Sequence, residues 1–178
     1  MPSWSIDQKQ WLMRPGALTR ALRELGPLEL RVLAEYPDGA TSDEARRLNI
    51  LARTPVWVRE IVMSIEGSQC VAARSLTPLQ ASHGIWQGIR KLRSRPLADI
   101  LYNDVAITRS DFEVAQLRRQ SALFNTVLRT IPEQSQQTSS IKFLARRSVF
   151  WRQESALLVA ECFLPDFWRL IVNQKPTA

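Results

Sequence analysis

The stretch VWVREIVMSIEGSQCVAARSL (Val56 to Leu76) decides how the chain folds. Side chains along a strand alternate between two faces. Read as a strand, Val56 to Ile65 puts Trp57, Arg59, Ile61, Met63 and Ile65 on one face and Val58, Glu60, Val62 and Ser64 on the other. Gly67-Ser68 is a two-residue hairpin signal of the II′ kind, so CVAARSL is predicted to return antiparallel. If Glu66 faces Gln69, then Ile61 faces Arg74, and Arg59 lies diagonal to Arg74 on the same apolar face, about 7–8 Å away. Arginine is almost never fully buried without a partner. Two guanidiniums side by side on one core face repel each other, and an anion between them resolves the conflict.

Outward from this hairpin, the N-terminal IDQKQWLMRPGALTRALRELG reads as helical pattern broken at Pro15-Gly16. Leu18, Leu22 and Leu25 share a helical face, and Gly26 stops it. LELRVLAEY is a strand with Leu28, Leu30, Val32 and Ala34 on one face, closed by a Pro37-Asp38-Gly39 turn. Thr41 to Glu44 has capping-box spacing and predicts a short helix through Ala45 and Leu48. HGIWQGIRKLRSRPLADILYN predicts two short helices, the second with Pro96 in its first turn. ITRSDFEVAQL reads as a strand, and the polar RTIPEQSQQTSSIK as a loop or mobile lid. RRSVFWRQESALLVAECFLP forms a second hairpin. ALLVAECFL is apolar on both faces, as in a strand covered on both sides.

The totals exclude several classes of function. At 178 residues, 45% hydrophobic and 23% charged, the chain is predicted to be a single domain, 1–178, with a real core. No apolar run is long enough for a membrane span, and MPSWSIDQKQW lacks the basic and apolar regions of a secretory signal. A cytoplasmic location is the expectation. The net charge of +7 favours anionic partners, but the arginines are dispersed and no RRM, zinc-finger or basic-zipper pattern occurs, so no nucleic-acid partner is expected. One histidine, His83, and two distant cysteines are too few for a zinc site built from His and Cys, and no metal site is assigned. Cys70 and Cys162 are read as buried free thiols. Neither a GxxxxGK[ST] loop nor a GxGxxG after a strand is present.

Glu161 is the acidic counterpart of Arg59, a carboxylate in mid-strand sharing a face with Leu157, Val159 and Phe163. The residues alone leave two readings open. Arg59 and Glu161 neutralise each other as a structural pair, or Glu161 bonds instead to Arg146 or Arg147 on its hairpin partner. Alternatively Arg59, Arg74 and Glu161 converge on a small acid, with arginine forks for its carboxylates and the glutamate for a hydroxyl. Buried ion pairs seldom add net stability over apolar packing, which favours the second reading.

The pieces WLMRPGALTRAL, WVREIVMSIEGSQCVAARSLTP, RPLADILY, and RRSVFW followed by LLVAECFLPDFW resemble chorismate pyruvate-lyase, in order and spacing, from about Trp11 to Trp168. That family makes 4-hydroxybenzoate and pyruvate from chorismate. The resemblance implies an α+β fold: an antiparallel sheet of about six strands, helices on one face, and flaps over an enclosed site. It implies that Arg59 holds the ring carboxylate, with backbone N–H groups of Leu18 and Leu97. Glu161 would bond the hydroxyl, and Arg74 would hold the enolpyruvyl carboxylate. It also implies a reaction without cofactor and supply of a quinone precursor such as that of ubiquinone or plastoquinone. An enclosed site is expected to release product slowly and to be inhibited by it, and a monomer is expected. The chain departs from the family pattern at Ala98, where glycine is usual, and in the turn Arg152-Gln153-Glu154-Ser155. Two rivals share the fold or the site. One is an effector-binding domain that holds a small acid unchanged, against which stands the lack of a winged-helix segment ahead of the first matched block. The other is a lyase giving 3-hydroxybenzoate.

Overall fold

A computed structural model of the chain describes residues 4–131 and 141–174. Most of the polar stretch read as a lid, 132–140, lies outside the described residues. One antiparallel sheet organises the rest: β1 (Leu28–Gly39), β2 (Pro55–Ile65), β3 (Ser68–Pro78), β4 (Ile107–Arg109), β5 (Glu113–Gln116), β6 (Leu144–Arg152) and β7 (Ser155–Phe163). Their spatial order is β1-β2-β3-β7-β6-β4, and β5 also pairs with β6, whose outer edge it shares with β4. The α+β class holds, with seven strands where about six were expected. The ITRSDFEVAQL strand is split into β4 and β5.

Helices cover both faces of the sheet, where the sequence reading put them on one. On the first face, α1 (Ile6–Met13), α2 (Leu18–Arg23) and α7 (Pro165–Asn173) pack Leu12, Leu22 and Phe167 against Ile61, Met63 and Phe163. Further along this face, α4 (Leu79–His83), a 3₁₀ turn (Gln87–Lys91) and α5 (Ala98–Leu101) bring Ala81, Ile89, Leu97 and Leu101 onto Phe150 and Leu157. On the second face, α3 (Ser42–Leu48) sets Ala45 and Leu48 on Val58, Leu76 and Leu158. Beside it, α6 (Ala122–Leu128) sets Leu123 and Val127 on Val62, Ala72 and Cys162. A sheet covered on both sides explains why β7 reads as a continuous apolar run. The predicted capping box at Thr41 and Glu44 is formed, and a second one joins Ser5 and Gln8 at the start of α1.

Two irregularities sort the charged side chains. The β2–β3 turn is Glu66-Gly67, with φ of 50° and 81°, and Ile65 pairs with Ser68. Two positive φ values are the pattern of a type I′ turn, not of the II′ turn expected at Gly67-Ser68. A bulge then follows: Ser64 pairs with Gln69 but Met63 with Val71. Ile61 therefore faces Ala73, and Arg74 faces Glu60. A slip of one residue moves every side chain to the other face, so Arg74 does not stand beside Arg59. In β1 the register shifts between Val32 and Ala34, which sets Glu35 opposite Arg59 and Tyr36 opposite Val58. Pro37-Asp38-Gly39 makes no turn; it continues β1 along the sheet edge, where proline is tolerated.

Cys70 and Cys162 are buried free thiols, and burial raises the pKa of both above the ordinary thiol value.

Candidate active site

A cavity of about 50 Å³ lies on the first face, between the sheet and a two-part roof. Its floor is Ile61 and Met63 of β2, Ala73 and Ser75 of β3, Val159 and Glu161 of β7, and Arg146, Ser148 and Phe150 of β6. One part of the roof is Gly16 to Thr19, the turn into α2; the other is Pro96 to Ala98, the turn into α5, with Leu101 and Tyr102 behind it. Gly16 takes φ of 81° at the break between α1 and α2, a conformation that favours glycine.

Three of the five sequence-predicted site residues line this cavity: Leu18, Leu97 and Glu161. Leu18 opens α2, Leu97 stands immediately before α5, and neither helix start has a side-chain cap. The first backbone N–H groups of a helix have no partner within it, so both roof turns carry donors suited to an anion. Glu161 is held by Arg146, its cross-strand neighbour, whose Nε donates to Oε2 at 2.7 Å. Among the lining residues Glu161 is the single carboxylate and Arg146 the single guanidinium.

Arg59 shares the face of Ile61 but does not line the cavity, and it does not meet Glu161. Its Nε donates to Glu35 at 3.1 Å, and its Nη2 donates to the carbonyls of Arg93 at 2.7 Å and Arg95 at 3.0 Å. Burial lowers its pKa, against the opposing pull of Glu35. Arg59 thus fastens the segment that leads into Leu97.

Arg74 lies on the opposite face, away from the cavity. Its Nε donates to Glu44 at 2.8 Å, and its Nη1 donates to Glu60 and to the Tyr36 hydroxyl, both at 3.0 Å. Burial works against its charge, but the bonds and charges of Glu44 and Tyr36 outweigh burial and raise its pKa. Glu60 also accepts from Thr126 at 2.7 Å and lies 2.9 Å from Arg129. The convergence expected of Arg59, Arg74 and Glu161 is therefore replaced by three separate networks: Arg59 with Glu35 and Arg146 with Glu161 on the first face, and Arg74 with Glu44, Glu60 and Tyr36 on the second.

Sequence reasoning put forward Arg146 only as an alternative partner for Glu161, and did not reach Tyr102, Ser75, Ser148 or Phe112. A two-residue turn at Gln153-Glu154 sets Arg146 opposite Glu161, and Ser148 and Phe150 follow on the same face with period two. That count was available in the sequence. Tyr102 comes from the loop after α5, and burial raises its phenol pKa.

Fold and cavity together define an α+β domain with a small cavity beneath two backbone turns. Its architecture is shared with the effector domain of PhnF from Mycobacterium smegmatis, with a TM-score of 0.56 and 14% identity over 85% of this chain and 90% of that one. It is shared equally with a GntR-family transcriptional regulator from Bacillus cereus, with a TM-score of 0.55 and 12% identity over 85% and 97%. At those identities the likeness concerns the fold alone. The family model described as chorismate lyase matches residues 1–172, and this chain belongs to that family. Its relatives include a probable chorismate pyruvate-lyase of Bordetella pertussis (strain Tohama I), 55% identical over 92% of this chain and 84% of that protein. A probable chorismate pyruvate-lyase 1 of Pseudomonas fluorescens (strain Pf0-1) is 40% identical over 91% and 84%.

Proposed function

We propose that the protein is a lyase that converts chorismate to 4-hydroxybenzoate and pyruvate. The observation that carries this reading is one cavity holding a lone carboxylate, Glu161, opposite two uncapped helix starts at Leu18 and Leu97. In this reading the N–H groups of the two roof turns receive the ring carboxylate, and Arg59 supports them with positive charge from behind the Arg93 to Leu97 segment. Apolar walls from Ile61, Met63, Phe150 and Val159 hold the ring. Glu161 accepts from the ring hydroxyl and stands at the carbon that loses its hydrogen.

The chemistry balances within the substrate. The ether carbon–oxygen bond to the enolpyruvyl group breaks, the hydrogen leaves the hydroxyl-bearing carbon, and the ring becomes aromatic. Enolpyruvate takes up a proton and tautomerises to pyruvate. Aromatisation supplies the drive, so the protein contributes orientation and charge stabilisation. Glu161 either takes the hydrogen as a base or orients a direct transfer to the enolpyruvyl methylene. Deuterium on that ring carbon separates the two, since label lost to solvent excludes direct transfer.

The test is incubation of the purified protein with chorismate and chromatographic identification of products. Pyruvate with 4-hydroxybenzoate supports the reading. Formation of 3-hydroxybenzoate would redirect it to the other isomer, and binding without turnover would make the domain an effector receptor. The 4-hydroxy product would then serve as a ring precursor for a quinone. Arg59→Ala is expected to lower kcat/KM by an amount equivalent to about 2–5 kcal/mol, because Glu35 and the two carbonyls of the segment leading into the Pro96 roof turn lose their donor together. An unchanged kcat/KM would remove Arg59 from the site.

A ring of benzene size occupies a cavity of about 150 Å³, three times the space beneath the roof, so the roof turns lift to admit substrate and again to free product. Release through that movement is expected to limit turnover. A burst of product followed by a slower steady rate, with competitive inhibition by 4-hydroxybenzoate, is the expected kinetic pattern. Linear progress curves insensitive to added product would argue for a permanently open cleft.

A further inference from the structure

We infer that Arg146 is a positioning residue that couples the seating of the α1–α2 roof to the placement of Glu161. The inference rests on the proposed role of Glu161 and extends it to a second side chain.

Arg146 is 2% exposed and lies directly across the β6–β7 ladder from Glu161. A single guanidinium makes both connections. Its Nε donates to Glu161 Oε2 at 2.7 Å. Its Nη1 donates to the carbonyls of Arg14 at 3.0 Å and Trp11 at 3.3 Å, the end of α1 from which the chain enters the roof turn at Gly16 to Thr19. Its flat face packs on Phe112, also a lining residue, with the guanidinium carbon 4.2 Å from the ring centre. Carboxylate, the α1 end that leads into the roof turn, and cavity wall are thus referred to one rigid fork.

Arg59 shows by contrast why this is more than generic ion pairing. It too is buried, bonded to one carboxylate and to two carbonyls of a roof segment. Its carboxylate, Glu35, lies outside the cavity lining, so Arg59 steadies the roof without touching an acid of the site. Arg146 alone among the described residues joins the segment leading into a roof turn to the cavity's carboxylate. Lysine has one nitrogen where arginine has a planar fork, and it cannot reach Glu161 and both carbonyls from one position. Displacing a reacting group by about 1 Å costs on the order of 10²-fold in rate. That is the loss expected when Glu161 loses its register.

Five proteins test this: the parent, Arg146→Gln, Arg146→Lys, Glu161→Gln and the Arg146→Gln/Glu161→Gln double variant, each assayed with chorismate below its melting temperature. Arg146→Gln is expected to lower kcat about 10²-fold with KM nearly unchanged, the pattern of an interaction realised in the transition state. Because Arg146 acts through Glu161, the double variant is expected to match Glu161→Gln, with the two losses failing to multiply. Arg146→Lys is expected to recover part of the rate. Losses that multiply, or a loss carried wholly in KM, would assign Arg146 to the roof alone and overturn the coupling. Where turnover is too slow to measure, the same cycle is read on affinity for 4-hydroxybenzoate. A parent protein that releases no 4-hydroxybenzoate and pyruvate from chorismate would instead sink the proposed function, and the coupling with it.

Discussion

Glu161→Ala is expected to leave a folded protein whose production of 4-hydroxybenzoate falls about 10²–10⁴-fold, the range over which a positioned acid or base contributes. Glu161 is the single carboxylate among the residues lining the cavity, so no neighbour there can substitute for it. Its position on the floor follows from β7, where Val159 and Glu161 share the cavity side while Leu158 turns to the other face. Glu161→Gln separates two roles. An amide oxygen still accepts from a hydroxyl, so an orienting role leaves measurable turnover in the glutamine variant, whereas a base role makes both variants equally inactive. Product chromatography against circular dichroism of each variant provides the comparison. A Glu161→Ala enzyme within threefold of the parent, roughly 0.7 kcal/mol in barrier, would remove this residue from the reaction.

Arg74→Met should act through stability. It removes the guanidinium partner of Glu44, whose side chain is only 7% exposed, and one donor of Glu60. Breaking a buried ion pair from one side costs about 3–5 kcal/mol. Glu60 keeps Arg129, Thr126 and Tyr36, so the lower end of that range applies. For a chain of this length each kcal/mol lowers the melting temperature by roughly 2–4 °C, so a fall on the order of 6–12 °C follows. Activity per folded molecule should stay close to that of the parent, because Arg74 faces α3 and α6 and not the cavity. Calorimetry paired with active-site-normalised rates checks both halves. An unchanged melting temperature with lost turnover would return Arg74 to the reaction.

The contrast between these residues shows what the sequence made legible. Strand parity alone put Arg59 with Ile61 and Glu161 with Val159, and breaks at Pro15-Gly16 and Pro96 marked the helix starts whose N–H groups border the cavity. Arg74 was misread because the ladder was taken as regular: centring the turn one residue late shifts partners by two and keeps their faces, whereas the bulge shifts them by one and changes the face. A bulge at Cys70 leaves no compositional trace, since it inserts a residue without changing residue type. Glu35 was hidden for the same reason: the shift after Val32 turns it toward Arg59, and uninterrupted alternation would set it on the opposite side from Val32. The two-sided helical cover was legible in part. The apolar run in β7 implied it, while the short amphipathic pieces did not reveal which side each would choose.

Because β2 is roofed on both sides, adjacent positions along it answer to different demands. Ile61 lines the cavity and Arg59 shares its face, while Val58, Glu60 and Val62 belong to the scaffold beneath α3 and α6. Substitutions walked along this one strand would read like the teeth of a comb, alternating between proteins that melt early and proteins that hold their shape but fall silent.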